Sequence, residues 1–445
     1  MQLRRDICQS EVGNLMLFIS LQQLVSLLPL TPSLFCKPFE VEERVMMTLL
    51  IRSGRLLHDS SCSRKLFLEI TRQNCKGSLC SRISPTVTSH LRKKSKWTHS
   101  PSQETKWSRC TFWHHQHCTE AMSDRAYVLT SDLNETKGIP ERYAEIKKYF
   151  NIIYFEEFLK NKEEFANKIQ LVLMWECSLT IDEKLLKSLP QLKAIVSNGV
   201  GVDHLDLPLI FSFGVKVANT PHVVDNATAD MGMALMLASA RNILEGQKIA
   251  TSPDTKSYPF NWYGIEVTGA TLGIVGMGRI GYKVAQRAKG FDMKILYHNR
   301  NRRAEEEEKL VGACYCAKID DLLQESDFVM LVVNLTPQTC KLIGKRELSL
   351  MKPNATLINI CRGAVVDQDA LVKALQKGVI RAAALDVTDP EPLPRDHPLL
   401  HLPNVILTPH LGTATDKTSH KMLEKIIENA LAVVRGLPIP DEVLP

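Results

Sequence analysis

The sequence predicts an α/β protein: two doubly wound parallel-sheet domains with a cleft between them, preceded by an unstructured N-terminal extension. Three observations predict it. From Arg125 onward, short apolar runs rich in β-branched residues alternate with helical stretches. Gly276, Gly278 and Gly281 stand at G-x-G-x-x-G spacing between such a run and a helix. Residues 1–121 show neither period.

Charge and cysteine divide the 445 residues at the same place. Of 55 lysines and arginines and 49 acidic residues, 17 and 9 lie before Met122, so the basic excess belongs to the extension. Seven of the twelve cysteines are there as well. The remaining five, Cys177, Cys314, Cys316, Cys340 and Cys361, sit mostly in or beside apolar runs and read as reduced, partly buried thiols of a cytoplasmic enzyme. The stretch Leu15–Leu30 is too short and too interrupted by polar residues for a membrane span. Arg92–Lys96 reads as a solvated basic run rather than a nucleic-acid patch, and His114, His115 and His117 with Cys110 and Cys118 fit no standard metal spacing. No metal, membrane or nucleic-acid partner is predicted. Met122 reads as a natural chain start, because regular patterning follows it at once.

The first domain, residues 122–222, is predicted as a small parallel unit. Its strands are Arg125–Thr130, Leu171–Trp175, Leu192–Ser197 and Val215–Asn219, with helices at Pro140–Phe150 and Asp182–Leu189. After the third strand, Asn198–Asp203 reads NGVGVD, which by itself reads equally as a simple turn or as a place where two glycines leave backbone N–H groups open to an anion. A long Ala- and Met-rich helix, Ala227–Asn242, links to the second domain, residues 223–411. An aromatic loop, Tyr258–Gly264, precedes the nucleotide fold. Six strands follow: Thr271–Val275, Lys294–His298, Phe328–Val333, Ala355–Ile360, Ala382–Val387 and Val405–Thr408. A final helix, Ala414–Arg435, ends the chain.

The glycine spacing in this context is the fingerprint of a Rossmann-like dinucleotide site. The first glycine makes the tight turn, the second admits the pyrophosphate against bare backbone, and the third allows helix and strand to pack closely. At the end of the next strand a carboxylate would hold the ribose 2′-hydroxyl of NAD. The sequence there is His298-Asn299-Arg300-Asn301-Arg302-Arg303, with three arginines and no acid, which favours NADP(H). Three later strand ends carry chemistry. Arg362 follows an apolar strand, Glu391 lies in a loop between prolines, and His410 ends a strand before Leu411-Gly412. Together they supply a cation, an imidazolium and a carboxylate to keep it charged, as reduction of a 2-oxo acid requires.

At these residues the chain, over 124–445, resembles the D-isomer-specific 2-hydroxyacid dehydrogenases, most of all in Leu385–Leu400, LDVTDPEPLPRDHPLL, which is close to the wording of the glyoxylate/hydroxypyruvate reductase branch. The resemblance implies NADPH-dependent reduction of a small 2-oxo acid by a homodimer, with a split substrate domain in which residues 412–445 complete residues 122–222. It implies Arg362, Glu391 and His410 as the catalytic triad and Val200 and Gly201 as the backbone clamp for the substrate carboxylate. Arg279 and Ile280 would meet the pyrophosphate beside Gly276, Gly278 and Gly281, and Arg300, Asn301, Arg302 and Arg303 the 2′-phosphate. Asn334, Ile360 and Asp386 would line the nicotinamide side, with Gly412 and Thr413 completing the cleft. Trp262 is the candidate aromatic passed to a partner's cleft. Cys361 and Asn334 depart from the commoner residues at their places. Two alternatives share the fold, a nucleotide-sensing corepressor-like scaffold and a phosphoglycerate dehydrogenase-like enzyme.

Overall fold

Alternating apolar runs and helices build two sheets, one wholly and one mainly parallel. The computed structural model describes residues 125–131, 140–175 and 179–444, so the expectations for residues 1–121 and for Cys177 lie outside the described residues. In the first sheet the strands are β1 (Tyr127–Thr130), β2 (Asn151–Tyr154), β3 (Ile169–Met174), β4 (Ala194–Ser197) and β5 (Lys216–Ala218), joined at the edge by β13 (Glu442–Val443). The order is β13-β5-β4-β3-β1-β2. Two of these strands escape the sequence pattern. β2 pairs only with β1, at an edge, and follows so closely on helix α1 (Pro140–Lys147) that its apolar residues merge with the helix in sequence. β13 is two residues long and antiparallel to β5, so this sheet is not wholly parallel.

Local chemistry sets the helix starts. Asp182 caps α4 (Glu183–Ser188), its Oδ1 accepting the Leu185 N–H at 2.7 Å. Asp206 does the same for α5 (Leu207–Ser212) at 3.0 Å, with Pro208 in the first turn. Between β2 and β3 lie the short α2 (Phe155–Lys160) and α3 (Lys162–Phe165), each burying one phenylalanine.

The second sheet has seven strands, one more than the sequence pattern predicts: β6 (Thr271–Val275), β7 (Lys294–His298), β8 (Ala313–Tyr315), β9 (Phe328–Leu331), β10 (Thr356–Asn359), β11 (Ala382–Leu385) and β12 (Val405–Leu407). β8 is only three residues long and carries an exposed Cys314, which hides its period. All neighbours run parallel in the order β12-β11-β10-β9-β6-β7-β8. The order reverses beside β6, leaving a crevice at the carboxyl ends of β6 and β9, where open α/β sheets bind ligands.

Two helices tie the sheets together. α6 (Asp225–Ala240) packs on the second sheet so closely that a Cβ on Gly232 would lie 2.8 Å from Met330 Sδ and 2.9 Å from Ile360 Cδ1. α7 (Ile243–Thr251) follows it and buries no residue. The other helices of this half are α8 (Arg279–Lys289), α9 (Glu305–Val311), α10 (Ile319–Glu325), α11 (Lys345–Leu350) and α12 (Gln368–Gln376). The chain then returns: α13 (Asp416–Val434) lays Leu423, Ile426 and Ala430 on Leu171, Leu173 and Val196 of the first sheet. Fully buried Asn429 fastens this return. Its Nδ2 donates to Asn219 O at 3.0 Å and its Oδ1 accepts the Asp441 N–H at 3.1 Å.

Of the four described cysteines, all free thiols, Cys361 is buried and Cys316 partly so, while Cys314 and Cys340 are exposed, so the expectation of partly buried thiols fails for these two. Among the described residues no helix is long and apolar enough to cross a membrane, and no group of three or more His, Cys, Asp or Glu is placed to hold a metal.

Asn429→Ala strands the Asn219 carbonyl and the Asp441 N–H. Each unsatisfied buried group costs about 1–3 kcal/mol, so the variant's urea midpoint should fall clearly below that of the parent. An unchanged midpoint would show that water replaces both bonds.

Candidate active site

The glycine loop at the end of β6 divides into two structural demands and one open place. Gly276 has φ +99°, and a Cβ there would lie 2.5 Å from Val332 O. A Cβ on Gly281 would strike Gly276 O, so this glycine sets how closely helix and turn approach. Gly278 has nothing within 4 Å of where its Cβ would be. It is the N-cap of α8, whose first-turn N–H groups, including those of Arg279 and Ile280, have no intrahelical acceptor. A dinucleotide pyrophosphate fits such a place: bare backbone, free donors and the positive end of a helix. Arg279 stands beside it, its Nε 3.5 Å from Asp225 Oδ2. Burial raises the Asp225 pKa against the pull of Arg279.

The arginine cluster after β7 is not a uniform set. Arg302 lies in a fork on buried Glu308, with Nε and Nη2 donating at 2.8 and 2.7 Å. Tyr297 Oη also donates to Glu308, and accepts the Arg303 N–H at 3.0 Å. The hydrogen bond from Arg302, then that from Tyr297, outweigh burial and hold the Glu308 pKa down at about 2. Burial and the bond to Glu308 push the Tyr297 hydroxyl up to about 12. Arg302 is therefore tied by a two-point ion pair to a buried carboxylate while its side chain stays exposed, a pairing which its neighbours in sequence do not signal. Arg303 stacks on the Tyr282 ring at 4.7 Å, donates Nη1 to Met277 O at 3.0 Å and pairs Nη2 with Glu307 at 2.7 Å. Arg300 and Asn301 are exposed. Asn299 clasps the glycine loop, accepting the Met277 N–H at 2.6 Å and donating to Met277 O at 3.2 Å.

Across the cleft, the loop 198–203 follows β4. The Gly199 N–H donates to Thr220 Oγ1 at 2.8 Å and Asn219 Nδ2 donates to Val200 O at 2.8 Å. The N–H groups of Val200 and Gly201 donate to no group among the described residues. Arg362, after β10, reaches over to this loop. Its Nε meets both Asp203 oxygens at 3.0 and 3.1 Å, and its Nη1 donates to Cys361 O at 2.7 Å. A Cβ on Gly201 would land on the Arg362 Nη2. Asp203 is a residue that the sequence pattern does not single out, because its partner is 159 positions away. Its one signal is its place in the same turn as the open N–H groups. Burial pushes the neighbouring Cys361 thiol up to about 11, so it stays protonated and Arg362 has no thiolate beside it.

Glu391 and His410 meet beside Arg362. His410 Nδ1 lies 2.9 Å from Glu391 Oε2, and Glu391 Oε1 accepts the Thr388 N–H at 2.9 Å. The bond to Glu391 raises the His410 pKa against burial, which lowers it. Burial works against ionisation of Glu391, yet the hydrogen bonds from His410 and Thr388 bring its pKa below the ordinary value. His410 has φ +53°, a strained conformation for a non-glycine residue, held by its N–H on Asp386 O at 2.9 Å. Asp386 is buried, and its side chain turns into the same loop. Oδ1 accepts from Thr408 Oγ1 at 2.6 Å and the Leu411 N–H at 2.8 Å, and Oδ2 accepts the Gly412 N–H at 2.8 Å. Both oxygens of Asp386 thus hold the histidine loop. Ile360 is buried under α6, Asn334 is exposed just beyond β9, with its carbonyl accepting from Thr339 Oγ1 at 2.7 Å, and Thr413 is half-buried.

Trp262 packs edge-on to α7 at Gly246, where a Cβ would lie 2.7 Å from its ring, and lines a 570 Å³ cavity with Arg241, Tyr263 and Phe291. Tyr258, Phe260 and Tyr263 of the same loop are exposed, Phe260 by 96%.

Residues 233–412 match the model of the D-isomer specific 2-hydroxyacid dehydrogenase NAD-binding domain. The glyoxylate reductase of Thermococcus onnurineus is 42% identical over 310 residues, 68% of this chain and 92% of that protein. Glyoxylate/hydroxypyruvate reductase B of an Enterobacter species is 44% identical over 258 residues, 58% of this chain and 79% of that one. Among solved structures, a Sinorhizobium meliloti NADPH-dependent glyoxylate/hydroxypyruvate reductase in complex with NADP and malonate superposes with a TM-score of 0.63 at 27% identity, over 72% of this chain and 97% of the other.

The glycines give a paired test. Gly276→Ala must strain both φ and a backbone contact, so it should lower stability by more than about 1 kcal/mol. Gly278→Ala should leave the melting temperature in place and weaken dinucleotide binding at least about tenfold, since its Cβ intrudes only where a ligand would lie. Unchanged dinucleotide affinity in Gly278→Ala, read by cofactor fluorescence, would remove the pyrophosphate from this turn.

Proposed function

This chain belongs to the D-isomer-specific 2-hydroxyacid dehydrogenase family, and on that premise we propose that it reduces glyoxylate, hydroxypyruvate or a similar small 2-oxo acid with NADPH. The observation that carries the proposal is the convergence of Arg362, the Glu391–His410 pair and the open Val200 and Gly201 N–H groups on one cleft beside the glycine loop. The substrate class is supported by the relatives named glyoxylate reductase and glyoxylate/hydroxypyruvate reductase. On this reading residues 122–222 and 412–445 form the substrate domain and 223–411 the cofactor domain.

The nicotinamide cofactor, when bound, supplies a hydride to the keto carbon. The remaining work falls to the protein. The Val200 and Gly201 N–H groups and Arg362 hold the substrate carboxylate, and Arg362 also polarises the ketone. His410, charged through its bond to Glu391, donates the proton to the developing alkoxide from Nε2, the nitrogen that does not face Glu391. Asp386 keeps the histidine loop in place.

For the cofactor, no carboxylate stands at the end of β7, and Arg300 is exposed, free of ion pairs among the described residues. We assign the 2′-phosphate to Arg300 with Arg303, and give Arg302 the task of shaping the turn through Glu308. The NADP-bound relative lends support. A homodimer is supported by the apolar surface of α7, with Ile243 and Leu244 exposed, next to exposed Tyr258, Phe260 and Tyr263. Trp262 lies within that surface.

Arg300→Ala with Arg303→Ala should raise KM for NADPH about tenfold to a hundredfold, the size of one to two charge-assisted contacts, and leave KM for NADH nearly unchanged. Equal losses for the two cofactors would refute the 2′-phosphate site.

The raised His410 pKa gives a pH sign. Reduction needs the protonated ring, so kcat should hold at low pH and fall as pH rises through a value above 6.5. Glu391→Gln removes the cause of the rise and should move that falling limb to lower pH. His410→Ala should lower kcat for hydroxypyruvate about 10²–10⁴-fold with NADPH binding retained. Near wild-type turnover by His410→Ala would place the proton donor elsewhere.

A further inference from the structure

We propose that Asp203 is a positioning residue for Arg362, aiming from the first lobe a cation carried by the second. The proposal rests on the preceding assignment of Arg362 to the substrate anion. A guanidinium is planar and presents its N–H groups in a fixed fork, so fixing two of its nitrogens fixes the direction of the third. In Arg362 those two are engaged. Nε meets the Asp203 carboxylate at 3.0 and 3.1 Å, and Nη1 donates to Cys361 O at 2.7 Å. Nη2 is left pointing at Gly201, so closely that a side chain there would overlap it. The free edge of the cation and the open N–H groups of Val200 and Gly201 thus face one spot.

The choice of edge separates a holder from a competitor. Asp203 takes Nε, whereas an anion over Gly201 takes Nη2, so the two do not contend for one donor. Asp203 is also built into the clamp loop itself, two residues after Gly201. That loop is tied down by the Asn219 Nδ2 bond to Val200 O and the Gly199 N–H bond to Thr220 Oγ1. His204, next to Asp203, adds no competing cation near neutrality. Burial lowers its pKa, and its Nε2 lies 3.3 Å from Ser197 Oγ. The consequence is that the cation is aimed only while the two lobes are in register, because one lobe carries the guanidinium and the other carries its holder.

The test is a double-mutant cycle on the full chain with Asp203→Ala, Asp203→Asn, Arg362→Ala and the Asp203→Ala/Arg362→Ala pair. Kinetics with hydroxypyruvate, affinity for the unreactive anion oxamate in the presence of NADPH, NADPH affinity and melting temperature are read for each. Asp203→Ala should lower kcat/KM about 10- to 100-fold, the size of a lost hydrogen bond to a charged group, and weaken oxamate by a similar factor. NADPH affinity and melting temperature should stay at wild-type values. Asp203→Asn keeps an acceptor oxygen and should recover part of the loss. In the Arg362→Ala background, Asp203→Ala should cost nothing more. Wild-type kinetics or tighter oxamate binding in Asp203→Ala would overturn the proposal, as would a full further loss in the double variant. Failure of the underlying assignment looks different: Arg362→Ala itself would bind oxamate and turn over hydroxypyruvate like the wild type.

Discussion

A half-buried guanidinium needs a counter-charge, and Arg362 finds its ion-pair partner by crossing the cleft to Asp203. Much of the arrangement depends on that reach. It requires the loop after β10 and the loop after β4 to face each other, and it requires glycine at 201 so that the cation can lie against backbone. It also places the cation beside the loop that carries Glu391. A Cβ on Gly363 would collide with the Thr388 carbonyl, and Gln368 exchanges hydrogen bonds with the Asp389 backbone. The carboxylate, the imidazole and the guanidinium are therefore positioned by backbone contacts around one corner of the second sheet.

Buried carboxylates do the holding at two places, in the same manner. Asp386 accepts three hydrogen bonds from the loop that bears His410, and Glu308 accepts from Arg302 and Tyr297 below the turn that follows β7. A buried carboxylate is costly unless its lone pairs are met, so each fixes the groups that meet it. In both cases a residue that looks available in sequence is engaged by internal hydrogen bonds or an ion pair, and another residue of the same turn or loop is left without such a tie or facing solvent: His410 beyond Asp386, and Arg300 before Arg302.

The two lobes divide labour by their local structure. The second supplies a glycine turn whose middle glycine faces open space, at the N-terminus of an eleven-residue helix. The first supplies backbone N–H groups that have no partner among the described residues. Neither half holds all the groups of the cleft, and the crossings at α6 and α13 bring them together, the second fastened by Asn429.

By itself the sequence determined what short-range physics can encode. Strand and helix alternation marks both parallel sheets, because buried strands need continuous apolar runs. The glycine spacing marks the turn after β6, because φ and close approach there exclude side chains. Arg362, Glu391 and His410 are visible because polar residues ending apolar strands stand out. What only the tertiary structure decided has no local period. β2, β8 and β13 are too short or too close to a helix to show one, and they exist through pairing at sheet edges. Arg302 differs from Arg300 through its pairing with Glu308, six positions further on in the next helix. Asp203 meets Arg362 across 159 positions, where the folded chain, and not the spacing of residues, sets which charges touch.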